Sequence, residues 1–66
     1  MQITFNGEPR ELAANTTVAT LLNELKVTTK HVAVEVNYEV IPRERHSDTV
    51  LREGDQVEVV TLVGGG

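Results

Sequence analysis

The sequence has no cysteine and few aromatic residues, since only Phe5 and Tyr38 are present. The absence of cysteine excludes disulfide bonds, thiolate metal sites and a cysteine nucleophile. His31 and His46 are far apart in the sequence, and neither has a second potential ligand at the spacing of a metal site. We therefore predict that no metal is bound and that both histidines are ordinary solvated side chains.

Positive charge is also scarce. Six Lys and Arg residues stand against ten Asp and Glu residues, which gives a net charge of -4 at pH 7. This balance opposes binding to nucleic acid or to an anionic membrane and favours a basic protein surface as partner. No stretch approaches the roughly 20 apolar residues that span a bilayer, and the amino end lacks the pattern of a signal peptide. We expect a cytoplasmic protein.

The chain is short, with 66 residues. A domain of this size buries only about 60% of the surface that its unfolded chain exposes, so an internal substrate cleft is not expected. His46, Ser47 and Asp48 are adjacent in the sequence and cannot point at one another as a catalytic triad requires. We predict a protein that is not an enzyme, with a single domain over residues 1–63 and a flexible tail over residues 64–66.

The first half of the chain has the patterns of a hairpin and a helix. Residues 2–13 are predicted to form a β-hairpin, because alternating apolar residues precede an Asn6-Gly7 turn signal. An apolar stripe at helical spacing predicts one short amphipathic helix with Thr17 as its N-cap. The stripe consists of Val18, Leu21, Leu22 and Leu25.

The second half has the pattern of strands. Alternating valines predict a strand over residues 32–36, and a reversal near Asn37-Tyr38 returns the chain through residues 39–41 to Pro42. Residues 43–48 are predicted to form a loop or a short helical turn. A turn over residues 52–55 then leads into a final strand over residues 56–63.

The positions of the prolines predict the topology. Pro9 lies at the start of the second predicted strand and Pro42 at the end of the fourth, positions where proline is tolerated at a sheet edge, while the last strand has no proline and is the most apolar. The last strand is therefore placed in the middle. The predicted fold is α+β, a β-grasp (ubiquitin-like) fold with a five-stranded mixed sheet of order 2-1-5-3-4 and one helix on one face.

The final strand has apolar residues on both of its faces. If Val57 and Val59 face the helix-covered core, then Val60 and Leu62 face away from it. Single exposed apolar residues are common in proteins and need no function. An apolar pair just before the glycines is nevertheless suited to contact another protein. We predict a partner-docking patch at Val60 and Leu62.

The sequence finishes with Gly64, Gly65 and Gly66, directly after its most apolar run. Glycine has no Cβ, so three of them can lie extended in a slot too narrow for side chains and reach roughly 10 Å. A free α-carboxylate is ionised at pH 7 and is a poor electrophile, so another molecule must activate it. Three terminal glycines are also typical of a frayed end, and the glycines alone leave both interpretations open.

Five segments occur in the order and spacing of one known family. They are TVATLL (17–22), VEVN (34–37), VIPR (40–43), GDQVE (54–58) and VGGG (63–66). Together they resemble the ThiS family, the sulfur carrier proteins of thiamine biosynthesis, over almost the whole chain. Two positions depart from the pattern: Tyr38 stands where many members have the glycine of an Asn-Gly turn, and His46 where many have tryptophan.

The resemblance implies a chain that catalyses nothing and binds no cofactor itself. A ThiF-type adenylyltransferase would use ATP and Mg to adenylate the carboxylate of Gly66. Sulfur from a cysteine desulfurase or a related donor would then replace AMP and leave a thiocarboxylate. Thiazole synthase (ThiG) would accept this sulfur. Gly64 and Gly65 would thread the partner active site, because a Cβ would collide with the walls of the activating slot.

Other functions remain open from the sequence. A molybdopterin-synthase-type carrier would use the same terminus, although its members tend to be longer and more aromatic. A ubiquitin-like modifier would join the same activated terminus to lysines of target proteins. A β-grasp binding module would have an inert tail, so that deletion of Gly66 would leave its activity unchanged.

Overall fold

The structure is a computed structural model that describes residues 1–27 and 31–61. Within these ranges five strands form one sheet of order β2-β1-β5-β3-β4. This confirms the predicted α+β fold and strand order. The elements in chain order are β1 (Gln2–Phe5), β2 (Glu8–Glu11), α1 (Val18–Glu24), β3 (Val32–Val36), β4 (Glu39–Ile41), a 3-10 helix (Arg43–Arg45) and β5 (Gln56–Thr61).

The first hairpin is confirmed and lies at one side of the sheet. β1 pairs antiparallel with β2, and Asn6 and Gly7 between them have φ angles of 49° and 84°. Left-handed backbone at both central residues is typical of the tight turns whose twist matches the strands, and asparagine and glycine favour it. Pro9 lies in the outer strand β2, where a missing backbone N–H is tolerated.

The helix α1 begins as predicted and is short. The Thr17 side chain accepts a hydrogen bond from the backbone N–H of Thr20 at 3.1 Å, which caps the first turn. Leu25, predicted as part of the apolar stripe, is the C-cap and is half-buried. A helix of seven residues is not stable alone, so packing of its buried residues holds it on the sheet. These residues are Val18, Leu21 and Leu22.

β5 lies in the middle of the sheet. It runs parallel to β1 and antiparallel to β3. Its Val57 is fully buried and lies opposite Phe5 on one side and Val36 on the other. The core beneath the helix contains residues of β1, α1, β3 and β5 and of two connecting segments; its buried hydrophobic residues are Ile3, Leu12, Val18, Leu21, Leu22, Val34, Val36, Leu51 and Val57.

The segment after β4 contributes more to the core than the sequence indicates. The predicted short helical turn is present as the 3-10 helix. The following residues join the start of α1: Val18 N donates to Thr49 O at 2.9 Å, and Leu51 N donates to Thr16 O at 2.8 Å. Leu51 is buried as a result. The loop between the 3-10 helix and β5 therefore closes one end of the core.

The prediction of a solvated side chain is wrong for His46, which is only 5% exposed. Its Nε2 lies 3.1 Å from the backbone oxygen of Ile41, and its backbone oxygen accepts from Ala19 N at 3.0 Å. Because a carbonyl oxygen only accepts, Nε2 carries the proton in this contact. Nδ1 is buried with no hydrogen-bond partner in the described part of the chain. His31, by contrast, is exposed.

Candidate functional site

The central strand is held on both sides close to its end. On one side β3 pairs with it as far as Val32 opposite Thr61. On the other side β1 ends at Phe5, and the side chain of Asn6 continues the pairing. Val59 N donates to Asn6 Oδ1 at 2.8 Å, and Asn6 Nδ2 donates to Val59 O at 3.4 Å. The strand that leads to the glycines is therefore fixed to within a few residues of them.

The role of Asn6 was not predicted from the sequence, which assigned it to the hairpin turn alone. Its backbone N–H also donates to Val57 O, at 2.9 Å. A single residue thus ends the first strand and supports the fifth. The sequence signal was ambiguous, because an asparagine before glycine is fully explained by the turn.

β5 presents different environments on its two faces. Val57 is fully buried and Val59 packs against the core, while Val60 lies on the opposite face and is 51% exposed. Val60 lies opposite Ala33 of β3 on this open face of the sheet. Leu62, the other residue of the predicted docking patch, lies outside the described residues, so docking by this pair stays a prediction.

The three glycines also lie outside the described residues. Gly66 follows Thr61 by five residues, and five extended residues reach at most about 18 Å. Attachment to the central strand therefore limits where the terminus can be delivered. The functions of Gly64, Gly65 and Gly66, and the division into residues 1–63 and 64–66, remain predictions.

The described residues contain few other features that could form a functional site. Within residues 1–27 and 31–61 no group of three or more His, Asp or Glu side chains could hold a metal ion. No helix in these ranges is long and apolar enough to cross a membrane. Two open grooves, of about 480 and 300 Å³, are lined by α1 and the 3-10 helix and by β4 and its surroundings, and neither includes a residue of β5.

Similarity to known proteins covers the three glycines as well as the described residues. The model of the ThiS family matches residues 3–66. The sulfur carrier protein ThiS of Escherichia coli (strain K12) is 33% identical over 66 residues, and the match covers 100% of both chains. The chain belongs to the ThiS family of sulfur carrier proteins. This confirms the family resemblance, including at the residues that the structure does not describe.

Solved structures of the family agree with the fold. The crystal structure of the thiamine biosynthesis protein ThiS from Geobacter metallireducens matches with a TM-score of 0.87 and 40% sequence identity, and the match covers 100% of each chain. A thiazole synthase from Magnetococcus marinus is also 46% identical over all 66 residues. The chain spans only 20% of the length of the thiazole synthases that it matches. A ThiS-like segment thus occurs within a larger protein that carries that name.

Proposed function

We propose that this chain carries sulfur for the formation of the thiazole ring of thiamine. The observation that supports this most directly is the ThiS family match, which continues through Gly66. In the proposed cycle a carboxylate oxygen of Gly66 attacks the α-phosphorus of ATP, and pyrophosphate leaves. Hydrosulfide then attacks the carbonyl carbon, AMP leaves, a proton is released, and the terminus becomes a thiocarboxylate.

The chain itself supplies no catalytic group to this cycle. An ionised carboxylate resists nucleophilic attack, so the adenylating partner provides the ATP, the Mg and the activation. The contribution of the chain is delivery. β5 is fixed as far as Thr61, and the last five residues carry the carboxylate into the partner.

Binding in this proposal depends mainly on the folded body. Ordering the three glycines costs about 3 to 6 kcal/mol at about 1 to 2 kcal/mol per residue, and residues without side chains make few contacts to offset this. Val60, half-exposed beside the start of the tail, and Leu62 supply apolar area for docking. Removal of such area from water is the general source of affinity in protein contacts.

Three partners are included in the proposal. A ThiF-type adenylyltransferase activates the terminus, a cysteine desulfurase or related donor provides sulfur, and thiazole synthase consumes it. Support for the last partner comes from the Magnetococcus marinus thiazole synthase, which contains a segment 46% identical to this chain. The proposed compartment is the cytoplasm, and no cofactor is bound by the carrier itself.

A free carboxylate at Gly66 is required by this chemistry. Because related segments occur within longer thiazole synthases, the terminus must be established directly. Intact-mass measurement of the protein isolated from its own cells is expected to give a chain that ends at Gly66. A longer chain with no processed form would overturn the proposal.

The decisive experiment follows the terminus itself. The chain is incubated with the adenylating enzyme, MgATP and a sulfide source, and its intact mass is expected to rise by the difference between sulfur and oxygen. Gly66→Val is the matched variant, and we expect it to lose at least about 100-fold in thiocarboxylate yield, because the Cβ blocks both the slot and the attack. Unchanged yield in that variant would contradict the proposal.

Thiazole synthase and its substrates complete the test. If the mass added by sulfur is lost again when the enzyme and its substrates are present, the chain functions in thiazole formation and not in a molybdopterin-type pathway. Heavier conjugates on a denaturing gel would instead indicate a ubiquitin-like modifier.

A further inference from the structure

Two glutamates lie directly opposite each other on the open face of the sheet. Glu35 of β3 lies directly opposite Glu58 of β5. Directly opposed residues share a face, with Cβ atoms about 5 Å apart, and like charges in this arrangement are destabilising. The described residues contain one ion pair, between the Met1 amino group and Glu11, and no hydrogen bond to either of the two opposed carboxylates. Within residues 1–27 and 31–61, therefore, no cation or hydrogen-bond donor compensates the repulsion between the two carboxylates.

An apolar stripe lies beside these carboxylates on the same face. Val40 is opposite Glu35, and Val60 is opposite Ala33. Val40 and Ala33 are diagonal neighbours across β4 and β3, a spacing at which side chains still interact. Val40 and Val60 are 62% and 51% exposed, so the stripe of Val40, Ala33 and Val60 is open to a partner.

The stripe and the carboxylates lead toward the tail. Val60 is six residues before Gly66, and Glu58 is two residues before Val60 on the same strand. A protein that covers this face is therefore placed next to the departing chain. Contacts here fix the direction from which the terminus approaches an active site.

The charge of the face suits the activating partner. An adenylating enzyme must bring together the phosphates of ATP and the carboxylate of the carrier, which are both anions. A site that collects anions presents positive potential around its entrance. Arginine is the residue best suited to contact carboxylates at an interface, because its planar guanidinium donates several hydrogen bonds at once.

We propose that Glu35 and Glu58 together receive an arginine of the adenylating enzyme while the stripe of Val40, Ala33 and Val60 covers apolar side chains around it. This inference rests on the proposed carrier function and assigns the partner contact that selects the activating enzyme. The cation relieves the repulsion between the two carboxylates. Removal of either charge is thus expected to weaken partner binding without lowering the stability of the chain.

The test uses Glu35→Gln, Glu58→Gln and the double variant, with Glu8→Gln on the exposed outer strand β2 as the matched control. The dissociation constant for the adenylating enzyme is measured calorimetrically, and stability is measured by urea unfolding. Each single variant at the opposed pair is expected to bind about tenfold more weakly, the size expected for one charged hydrogen bond. Their stability is expected to be unchanged or higher, and Glu8→Gln is expected to bind as the parent does.

Each other outcome overturns the inference. Parental affinity in both single variants removes the contact, and an equal loss in Glu8→Gln reduces it to an effect of net charge. A fall in stability means that the face was damaged, and a loss confined to thiazole synthase assigns the contact to the wrong partner. Absence of any binding by the parent chain also refutes it. Because affinity is measured without turnover, a chain that binds as expected but gains no sulfur refutes the carrier function alone.

Discussion

The two faces of the sheet place the same residue type in opposite environments. On the face covered by α1, Val34 and Val57 are almost completely buried, whereas Val40 and Val60 on the open face are more than half exposed. Val57 and Val60 are three residues apart on one strand. One strand therefore supports the core with one set of side chains and offers a contact surface with the other. Hydrophobicity alone does not distinguish these functions.

The same substitution on each face gives the sharpest contrast. Val57→Asn is expected to destabilise the chain by about 3 to 5 kcal/mol, because it loses apolar burial and places an amide without partners in the core. A domain of 66 residues has a total stability of only about 3 to 10 kcal/mol, so this variant loses a large fraction of it. Circular dichroism and urea unfolding measure the effect.

Val60→Asn is the matched variant on the open face. We expect a loss of at most about 1 kcal/mol, the range of strand propensity at an exposed site, together with weaker binding to the adenylating enzyme. If both variants lose the same amount of stability, Val57 and Val60 do not differ in their contribution to the core. If Val60→Asn folds and binds as the parent does, the docking patch is not on this face.

The sequence predicts well those differences between the two faces that follow from the periodic patterns of strands and helices. The alternation along β5, the apolar stripe of α1 and the two prolines at the sheet edges predict the strand order and the faces, because strands and helices repeat at fixed periods. The exposure of Val60 also follows from alternation. The family resemblance adds the chemistry of Gly66, which no periodic pattern contains.

The features that the sequence did not predict lie in turns and loops, which have no repeating pattern of apolar residues. Asn6, Leu51 and His46 are fixed by contacts with residues distant in the chain: Asn6 with Val59, and Leu51 with Thr16. A loop residue has no periodic neighbours to show which way it points. Its burial depends on where the tertiary structure places the loop, and for His46 the polar ring favoured the wrong prediction of solvent exposure.

Variants of His46 test whether a buried polar side chain at the edge of the helix-covered core stabilises the fold. His46→Ala is expected to lose about 2 to 3 kcal/mol, from the cavity and from the hydrogen bond to the Ile41 carbonyl. His46→Gln can place an amide N–H near the position of Nε2 and is expected to lose about half as much for that reason. Urea unfolding of both variants measures the difference. Equal losses would show that the ring fills space and that its hydrogen bond contributes nothing.

The smallest expected effect lies at the β3–β4 turn, where the chain passes to the sheet edge. Tyr38 is 77% exposed and has a φ of 69°, in the left-handed region that disfavours residues with a Cβ. Tyr38→Gly removes a penalty of about 1 to 2 kcal/mol and adds about 0.5 to 1 kcal/mol of unfolded-state entropy, so we expect a net gain near 0.5 kcal/mol. Tyr38→Ala keeps the Cβ, removes the ring and is expected to give no gain. Thermal unfolding of the parent chain and the two variants separates the effect of the backbone conformation from that of the ring. Equal stability of the glycine and alanine variants would show that the left-handed backbone carries no strain. The turn would then differ from the open face only in its exposure to solvent.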